Sequence, residues 1–267
     1  MVFAVIFVSA LGLLLGLGLA IASKIMAVPV DEKAEEIVAV LPGANCGACG
    51  FSGCAGYAAA LSSGATQNTG MCAPGGNEVS AKVAAITGLA SADVVPKAAV
   101  VLCQGNSSNA KEKMVYSGVK SCRMASQLFG GAKACAYGCL GLGDCMDACE
   151  FDAIHICDGV ARINPIVCRS CGACVKACPK SLIELLPLGV SKAAVLCKNR
   201  SKGAAARKEC AKACIGCMKC QKTCESGAVT VENFVAHVDT DKCTGCGKCR
   251  EVCPIGCIEL ITLGEKA

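Results

Sequence analysis

The chain has 267 residues, enough for two or three small domains, but only 3% of them are aromatic and tryptophan is absent. Small domains with so few large side chains need disulfide or metal staples, and the 26 cysteines can provide them. The formal net charge of +5 counts every thiol as neutral, so it is not evidence for nucleic-acid binding.

The first segment of the chain is apolar. Residues 1–23 carry no charged side chain, and Lys24 follows them. Because a membrane-spanning helix needs roughly 20 apolar residues, residues 1–24 are predicted to be a transmembrane anchor in the lipid bilayer. A signal peptide would have a basic region before a shorter apolar stretch, and neither is present. Lys24 favours a single-pass protein of the cytoplasmic membrane whose remaining domains lie in the cytoplasm.

Residues 31–95 are predicted to form a small, mostly helical domain that holds one [4Fe–4S] cluster. Its pattern indicates helices over residues 31–41, 55–61 and 78–90. Between the helices lies a cysteine motif with the nearby glycines that let a backbone wrap closely around a bulky cofactor. The cysteines of this motif are Cys46, Cys49, Cys54 and Cys72.

Residues 96–121 form a connecting segment that contains Cys103. The apolar run at 98–103 resembles the run at 193–197, and each ends in a cysteine, which predicts two buried strands that deliver one thiol each. The polar residues 105–118 are predicted to form a surface loop.

The second half of the chain is a duplication. Nine cysteines recur 75 positions later. The first set is Cys122, Cys135, Cys139, Cys145, Cys149, Cys168, Cys171, Cys174 and Cys178, and the second is Cys197, Cys210, Cys214, Cys220, Cys224, Cys243, Cys246, Cys249 and Cys253. In each copy, 18 residues between the cysteine runs suit a strand hairpin.

The run from Cys168 to Pro179 has the Cys-x2-Cys-x2-Cys-x3-Cys-Pro spacing of bacterial ferredoxins. The predicted fold class is therefore α+β: a transmembrane helix, a small helical [4Fe–4S] domain, and tandem two-cluster ferredoxin-like domains at 122–196 and 197–267.

Disulfide and zinc alternatives fit less well. Disulfide scaffolds rarely place three cysteines within seven residues before Cys-Pro, and they require a secretory signal. Zinc sites pair two short knuckles across a long loop and often recruit histidine, whereas the chain has only His155 and His237.

Ligands follow from the ferredoxin rule that the fourth cysteine of each run binds the other run's cluster. In the first copy, Leu142 stands where the second has Cys217, and Cys135 is taken as the substitute. The five predicted sets are Cys46, Cys49, Cys54 and Cys72; Cys135, Cys139, Cys145 and Cys178; Cys149, Cys168, Cys171 and Cys174; Cys214, Cys217, Cys220 and Cys253; and Cys224, Cys243, Cys246 and Cys249.

A sixth cluster is predicted to bridge the two copies, with Cys103, Cys122, Cys197 and Cys210 as its ligands. The alternative is that these four are small buried hydrophobic residues. Cys157 and Cys257 are predicted to be packing residues. The iron content of the chain distinguishes six clusters from five, because six [4Fe–4S] clusters contain about 24 iron atoms and five contain about 20.

The chain resembles the B subunit of the Rnf complex, the ion-translocating ferredoxin:NAD oxidoreductase of bacteria. The resemblance rests on the segment LPGANCGACGFSGCAGYAAAL with the later CAPGG, on KACAYGCLGLGDCMDAC, and on the two runs that end in Cys-Pro. It implies a membrane-bound component that accepts electrons from reduced ferredoxin and relays them to other Rnf subunits for NAD reduction coupled to Na⁺ or H⁺ translocation.

The residue pattern itself indicates an electron carrier that does not make or break bonds in a substrate. The sequence has no dinucleotide-binding glycine fingerprint and no catalytic acid–base set, so no catalytic residues are predicted. Six clusters of net charge about −2 would make the folded protein acidic, and no nucleic-acid partner is expected. The alternative function is an iron–sulfur subunit of another reductase, of the hydrogenase or heterodisulfide reductase type.

Overall fold

The computed structural model describes residues 2–25 and 31–262 and mixes short helices with short strands. Within these ranges the helices are α1 (Val2–Ile25), α2 (Glu32–Val40), α3 (Cys54–Ser62), α4 (Gly76–Thr87), α5 (Cys122–Gln127), α6 (Asp144–Asp147), α7 (Ala173–Ala177), α8 (Gly203–Glu209), α9 (Lys219–Thr223) and α10 (Lys248–Glu251). The strands are β1 (Lys97–Val101), β2 (Ile154–Cys157), β3 (Val160–Ile163), β4 (Ile183–Pro187), β5 (Ser191–Val195), β6 (Val229–Glu232), β7 (Val235–Val238) and β8 (Ile258–Thr262).

Helix α1 is apolar throughout and has Lys24 in its last turn. Its segment from Ile6 to Lys24 is long and apolar enough to cross a membrane, and none of it is buried against the rest of the protein. A signal sequence near the N-terminus would satisfy the same criterion.

Helices α2, α3 and α4 pack around one small core. Asp31 caps α2 by accepting a hydrogen bond from the Ala34 amide, as the acidic start of the predicted helix suggested. Ile37, Tyr57 and Val83 are at most 1% exposed and form the centre of this core. The three helices predicted in this region are confirmed.

The remaining elements form two units of the same architecture, each with an antiparallel two-stranded sheet that joins its ends and an inner hairpin. In the first unit β1 pairs with β4 around the hairpin β2–β3, and in the second β5 pairs with β8 around β6–β7. The predicted hairpins are confirmed.

The strand pairing departs from the predicted domain boundaries. Strand β1 lies in the predicted connecting segment, but it pairs with β4 and thus belongs to the first unit. Strand β5 lies in the predicted range 122–196, but it pairs with β8 of the second unit. The two units therefore comprise residues 97–187 and 191–262, because the first and last strands of each unit pair with each other and enclose its cysteine-rich loops.

The segment 105–118 is more than a surface loop. Ala110 is 5% exposed and forms an isolated bridge with Cys210. The Lys111 amide donates to Glu209 O at 3.1 Å, and the Ala134 amide donates to Lys111 O at 2.7 Å. This segment of the first unit therefore fastens the second unit to it.

Two glycines at equivalent positions let the cysteine loops approach the hairpin turns. Gly141 and Gly216 have φ of +69° and +64°. A Cβ atom on Gly216 would lie 2.9 Å from Phe234 O, and one on Gly141 would collide with the backbone of Gly159. Any larger residue would push the loop away from the turn, so these glycines fix where the loop thiols lie.

Candidate iron–sulfur centres

All 26 cysteines lie within the described residues, and none of them is joined to another by a disulfide bond. Cys157 and Cys257 apart, they surround six sites of four thiols each. We number the sites 1 to 6. Site 1 is Cys46, Cys49, Cys54 and Cys72; site 2 is Cys149, Cys168, Cys171 and Cys174; site 3 is Cys122, Cys139, Cys145 and Cys178; site 4 is Cys103, Cys135, Cys197 and Cys210; site 5 is Cys214, Cys217, Cys220 and Cys253; and site 6 is Cys224, Cys243, Cys246 and Cys249.

Site 1 lies between α2, α3 and α4. Burial raises the pKa of the Cys72 thiol, and the neighbouring thiols of Cys54, Cys46 and Cys49 raise it further. The amide of Cys54, at the start of α3, donates to Asn45 Oδ1 at 2.9 Å, which fixes the turn that carries the thiols. The four thiols grouped by sequence spacing are thus brought together.

Site 2 forms in the first unit, as the ferredoxin rule predicts. Cys174 lies on α7, and its three partners line the same cavity. Burial raises the pKa of Cys174 to about 11, with the thiols of Cys168, Cys171 and Cys149 adding to the effect. The Ala99 amide of β1 donates to Cys168 Sγ at 3.4 Å, so the end strand of the unit contacts the site directly.

Site 3 differs from its predicted set by one thiol. Cys139, Cys145 and Cys178 are together, but the fourth thiol is that of Cys122, at the start of α5, and not that of Cys135. Burial raises the pKa of Cys145 to about 12, and the thiols of Cys139, Cys122 and Cys178 contribute.

Asp144 positions Cys122 in site 3, a role that sequence reasoning missed. Its carboxylate accepts from the Cys122 amide at 2.7 Å, the Arg123 amide at 2.9 Å and Ser121 Oγ at 3.1 Å. Burial would raise the pKa of the Asp144 carboxyl, but these donors outweigh it and hold the pKa below its usual value. The Ser121-Cys122 start of a short helix was the available sequence signal.

Site 4 lies between the two units and takes two thiols from each. Cys103 and Cys135 come from the first, and Cys197 and Cys210 from the second; all are 6–9% exposed. The predicted bridging set contained Cys122 in place of Cys135, so these two thiols exchange sites relative to the prediction.

Strand order explains the exchange. The 75-residue offset pairs Cys122 with Cys197, but Cys197 follows β5, whose counterpart in the first unit is β1. Cys103 follows β1 by the same two residues, so it is the structural equivalent of Cys197. The extra residues between Cys103 and Cys122 shift the offset, and Cys122 is left without an equivalent in the second unit.

Backbone amides donate to the sulfurs of site 4 in matched pairs. Cys103 Sγ accepts from the Gly105 and Cys139 amides at 3.3 and 3.4 Å. Cys197 Sγ accepts from the Asn199 and Cys214 amides at 3.4 and 3.3 Å. A neutral thiol is a weak acceptor, whereas a thiolate is a strong one, so this arrangement favours thiolate ligands.

Sites 5 and 6 form in the second unit with their predicted members. Burial raises the pKa of Cys220 in site 5 to about 11, and the thiols of Cys214, Cys217 and Cys253 contribute. Burial also raises the pKa of Cys249 in site 6, again with its three partners adding to it. Cys217 of site 5 and Cys246 of site 6 are exposed, so both sites approach the surface.

Neither remaining cysteine completes a set of four. Cys157 lies on β2 as predicted, but it is exposed and not packed, because its position in the strand faces solvent. Cys257 is 1% exposed, and its Sγ lies 3.6 Å from Cys253 Sγ beside site 5.

The six sites suit a bulky cluster better than a single ion. In tetrahedral zinc sites the Zn–S bonds are about 2.3 Å, which draws four sulfurs tightly together. Among the residues described, no group of three or more thiol, imidazole or carboxylate residues converges closely enough for one metal ion. Sites 2 to 5 instead each have all four thiols lining one common cavity. Four thiols around a cavity match the Cys₄ ligation of a [4Fe–4S] cluster.

Three family models match the chain. A model described as a putative Fe-S cluster matches residues 41–74, which hold site 1. A 4Fe-4S binding domain matches residues 168–181, and a 4Fe-4S dicluster domain matches residues 208–260.

Curated relatives match most of the chain. The B subunit of the Na⁺-translocating ferredoxin:NAD⁺ oxidoreductase complex of Acetobacterium woodii is 44% identical over 86% of this chain and 69% of its own. The B subunit of an ion-translocating oxidoreductase complex of Methanosarcina acetivorans is 38% identical over 87% and 88%. The B subunit of the proton-translocating ferredoxin:NAD⁺ oxidoreductase complex of Clostridium ljungdahlii is 38% identical over 86% and 81%.

Fold, thiol sites and family models together define a 4Fe-4S electron-transfer protein with ferredoxin-like domains. The chain belongs to the family of B subunits of Rnf-type, ion-translocating ferredoxin:NAD⁺ oxidoreductase complexes, as an iron–sulfur electron-transfer component. The relatives therefore favour the Rnf function over a role in an enzyme of the hydrogenase or heterodisulfide reductase type.

Proposed function

We propose that each of the six sites binds one [4Fe–4S] cluster and that the sites form one unbranched line from site 1 to site 6. The observation that carries the proposal is site 4, whose four buried thiols come equally from both units. One thiol of each unit receives a matched pair of amide donors. When bound, the clusters supply one-electron redox chemistry, and the protein sets their order and environment.

Contacts between neighbouring sites support this order. The thiol of Cys46 in site 1 is close enough to raise the pKa of Cys171 in site 2, after the larger effect of burial. Sites 2 and 3 exchange ligands across α6 and α7, because each takes the fourth cysteine of the other's run. Sites 5 and 6 are linked in the same way through α9 and α10.

Site 4 connects the two halves of the line by direct hydrogen bonds. The amide of Cys139 in site 3 donates to Cys103 Sγ at 3.4 Å. The amide of Cys214 in site 5 donates to Cys197 Sγ at 3.3 Å. One residue of each flanking site thus contacts a sulfur of site 4, which gives continuous covalent and hydrogen-bonded paths between the sites.

Reduced ferredoxin is proposed as the electron donor, since two relatives carry ferredoxin:NAD⁺ oxidoreductase in their names. Site 6 is the end of the line opposite site 1, and Cys246 there is exposed. Arg250, an exposed basic residue near it in the chain, would help to steer an acidic redox partner, whereas Lys242 and Lys248 are paired with Asp239 and Glu225.

Helix α1 is proposed to cross the membrane once, with the six sites on the cytoplasmic side. Its apolar surface is unburied, and Lys24 in the last turn follows the positive-inside rule. Cysteines that form no disulfide bonds also suit a reducing compartment. A chain that stays in the membrane after carbonate washing, and leaves it when residues 2–25 are deleted, supports the anchor. A mature chain cleaved after this segment would identify a signal sequence instead.

Iron analysis and rapid mixing test the proposal. The purified chain should hold about 24 iron atoms, and mixing with reduced ferredoxin should bleach the visible absorbance of its clusters. An iron content of about 20 atoms per chain would show that one of the six sites holds no cluster. Clusters that stay oxidised in the presence of reduced ferredoxin would exclude ferredoxin as the donor.

A further inference from the structure

Lys133 is the one buried charged residue within the described ranges, at 7% exposure. Its Nζ donates to Gly105 O at 2.6 Å and to Gly159 O at 2.7 Å. Among the residues described, no carboxylate forms a salt bridge with it. A buried ammonium with only carbonyl partners is unfavourable unless a negative charge lies nearby.

The two carbonyl partners place the ammonium between sites 3 and 4. The amide of Gly105 donates to Cys103 Sγ of site 4. Gly159 forms the hairpin turn that touches Gly141, in the loop between two thiols of site 3. Lys133 also lines the cavity of site 4.

Charge interactions point to the same two sites. Burial raises the pKa of Cys139 in site 3 and of Cys210 in site 4, and the Lys133 ammonium opposes the increase at both. The ammonium therefore stabilises thiolate on each side. The other lysines that line the site 4 cavity are less buried, and one of them, Lys198, is paired with Glu184.

We propose that Lys133 is a positioning residue that supplies a shared counter-charge to sites 3 and 4 and makes both easier to reduce. This inference rests on the proposed function, because it requires clusters at both sites. Reduction adds one negative charge to a cluster, and a fixed, poorly screened cation beside it favours the reduced form.

Glu209 provides the opposite charge beside site 4. Its carboxylate accepts from Asn199 Nδ2 at 2.7 Å, and the same nitrogen donates to Cys135 Sγ at 3.3 Å. After burial, Glu209 contributes to the raised pKa of both Cys135 and Cys210. Neutralising Glu209 should therefore shift the potential of site 4 in the direction opposite to neutralising Lys133.

The test is a redox titration of the cluster-loaded full chain followed by electron paramagnetic resonance. The components absent from Cys122→Ala and from Cys197→Ala identify sites 3 and 4. In Lys133→Met and Lys133→Gln both components should become at least tenfold harder to reduce, a shift of about 59 mV to more negative potential for one electron. Glu209→Gln should shift site 4 to more positive potential.

Two controls separate charge from packing. Lys133→Arg keeps the charge and should retain the wild-type midpoints. Lys208→Met removes the charge at the repeat-equivalent position, which is exposed on α8, and should change neither midpoint.

Unchanged midpoints in both neutral variants, or loss of iron in both, would overturn the role of Lys133. By contrast, a wild-type chain with no component that Cys197→Ala removes would overturn the six-site proposal itself.

Discussion

At the residue scale, one carboxylate holds the start of α5 and with it a thiol of site 3. Asp144 precedes Cys145 of the same site, so a single residue connects two thiols that are 23 positions apart in the chain. Two of its three hydrogen bonds satisfy amides that a helix N-terminus otherwise leaves without partners. Site 3 therefore depends on Asp144, even though Asp144 is not one of the four cysteines of the site.

Asp144→Ala should destabilise the chain by about 1–2 kcal/mol, the usual effect of losing a helix cap. Site 3 should then release its iron faster to a chelator than the other sites do. Asp147→Ala, an exposed carboxylate at the end of the same helix α6, is the matched control and should behave as wild type. Equal rates of iron release from both variants would contradict the role of Asp144.

Cys257 lies beside site 5 as a fifth thiol. It occupies the position of Leu182 in the first unit, which is also 1% exposed, so the position serves packing in both units. The close approach of the Cys257 thiol lowers the pKa of Cys214, mainly because the thiol donates to the Cys214 thiolate. The fifth thiol therefore supports a ligand without being needed as one.

Cys257→Ala should keep the full iron content, whereas Cys253→Ala should lose about four iron atoms per chain. Iron and protein quantification on the same sample measures both. A loss of about four atoms from Cys257→Ala would make Cys257 a ligand and contradict the assignment.

The exchange of Cys122 and Cys135 gives a further residue-scale prediction. Two alanine substitutions in one site should together remove about four iron atoms, and two in different sites about eight. Cys103→Ala with Cys135→Ala should therefore lose about four, and Cys103→Ala with Cys122→Ala about eight. The reverse result would restore the grouping that the sequence offset predicts.

At the element scale, the segment 105–118 determines how the two units meet. Its backbone bonds to α8 and to the strand-like residues before Cys135, and Ala110 packs at the centre of the contact. Ala110 Cβ lies close to where a Cβ on Gly105 would be, at 3.4 Å, so little space remains around it. The polar composition of the segment hides this structural role.

Ala110→Asp should bury an unpaired carboxylate between the units and destabilise their contact by about 3 kcal/mol. Site 4 should be lost while sites 5 and 6 remain, since their thiols lie within one unit. Lys111→Asp places the same charge at the exposed neighbouring position and serves as the control. Iron content together with limited proteolysis between the units distinguishes the two, and equal behaviour would argue against a packed contact.

Much of the architecture could be predicted because it depends on local pattern. Residues 31–41 show a capped helical start, and the hairpins β2–β3 and β6–β7 show alternation between cysteine runs, so both were found. Sites 1, 2, 5 and 6 follow from short fixed spacings. The pairing of β1 with β4 and the composition of sites 3 and 4 depend on contacts between distant segments. Because extra residues precede Cys122, a constant offset of 75 residues pairs the wrong cysteines there.

At the scale of the whole molecule, the proposed line gives each site at most two neighbours. In that line site 4 joins sites 1–3 to sites 5–6, through the amides of Cys139 and Cys214. Loss of site 4 should therefore divide the proposed line in two.

Cys197→Ala should therefore slow the reduction of sites 1–3 by ferredoxin by more than tenfold and leave sites 5 and 6 unaffected. Stopped-flow absorbance with freeze-quenched resonance spectra follows the two groups separately. Cys157→Ala removes an exposed thiol away from the sites and is the control. Reduction of sites 1–3 at the wild-type rate would show that electrons enter by another route.

The equal sharing of site 4 between the two units also has a consequence for how the protein matures. Either unit alone presents only two of its four thiols, so this site cannot be completed until both units have folded and met. Sites 2 and 3, and sites 5 and 6, have all their thiols within one unit and are free to be completed earlier. Iron at site 4 would thus mark a finished chain, and a full-length chain whose two folded units have not yet met would stop at five clusters.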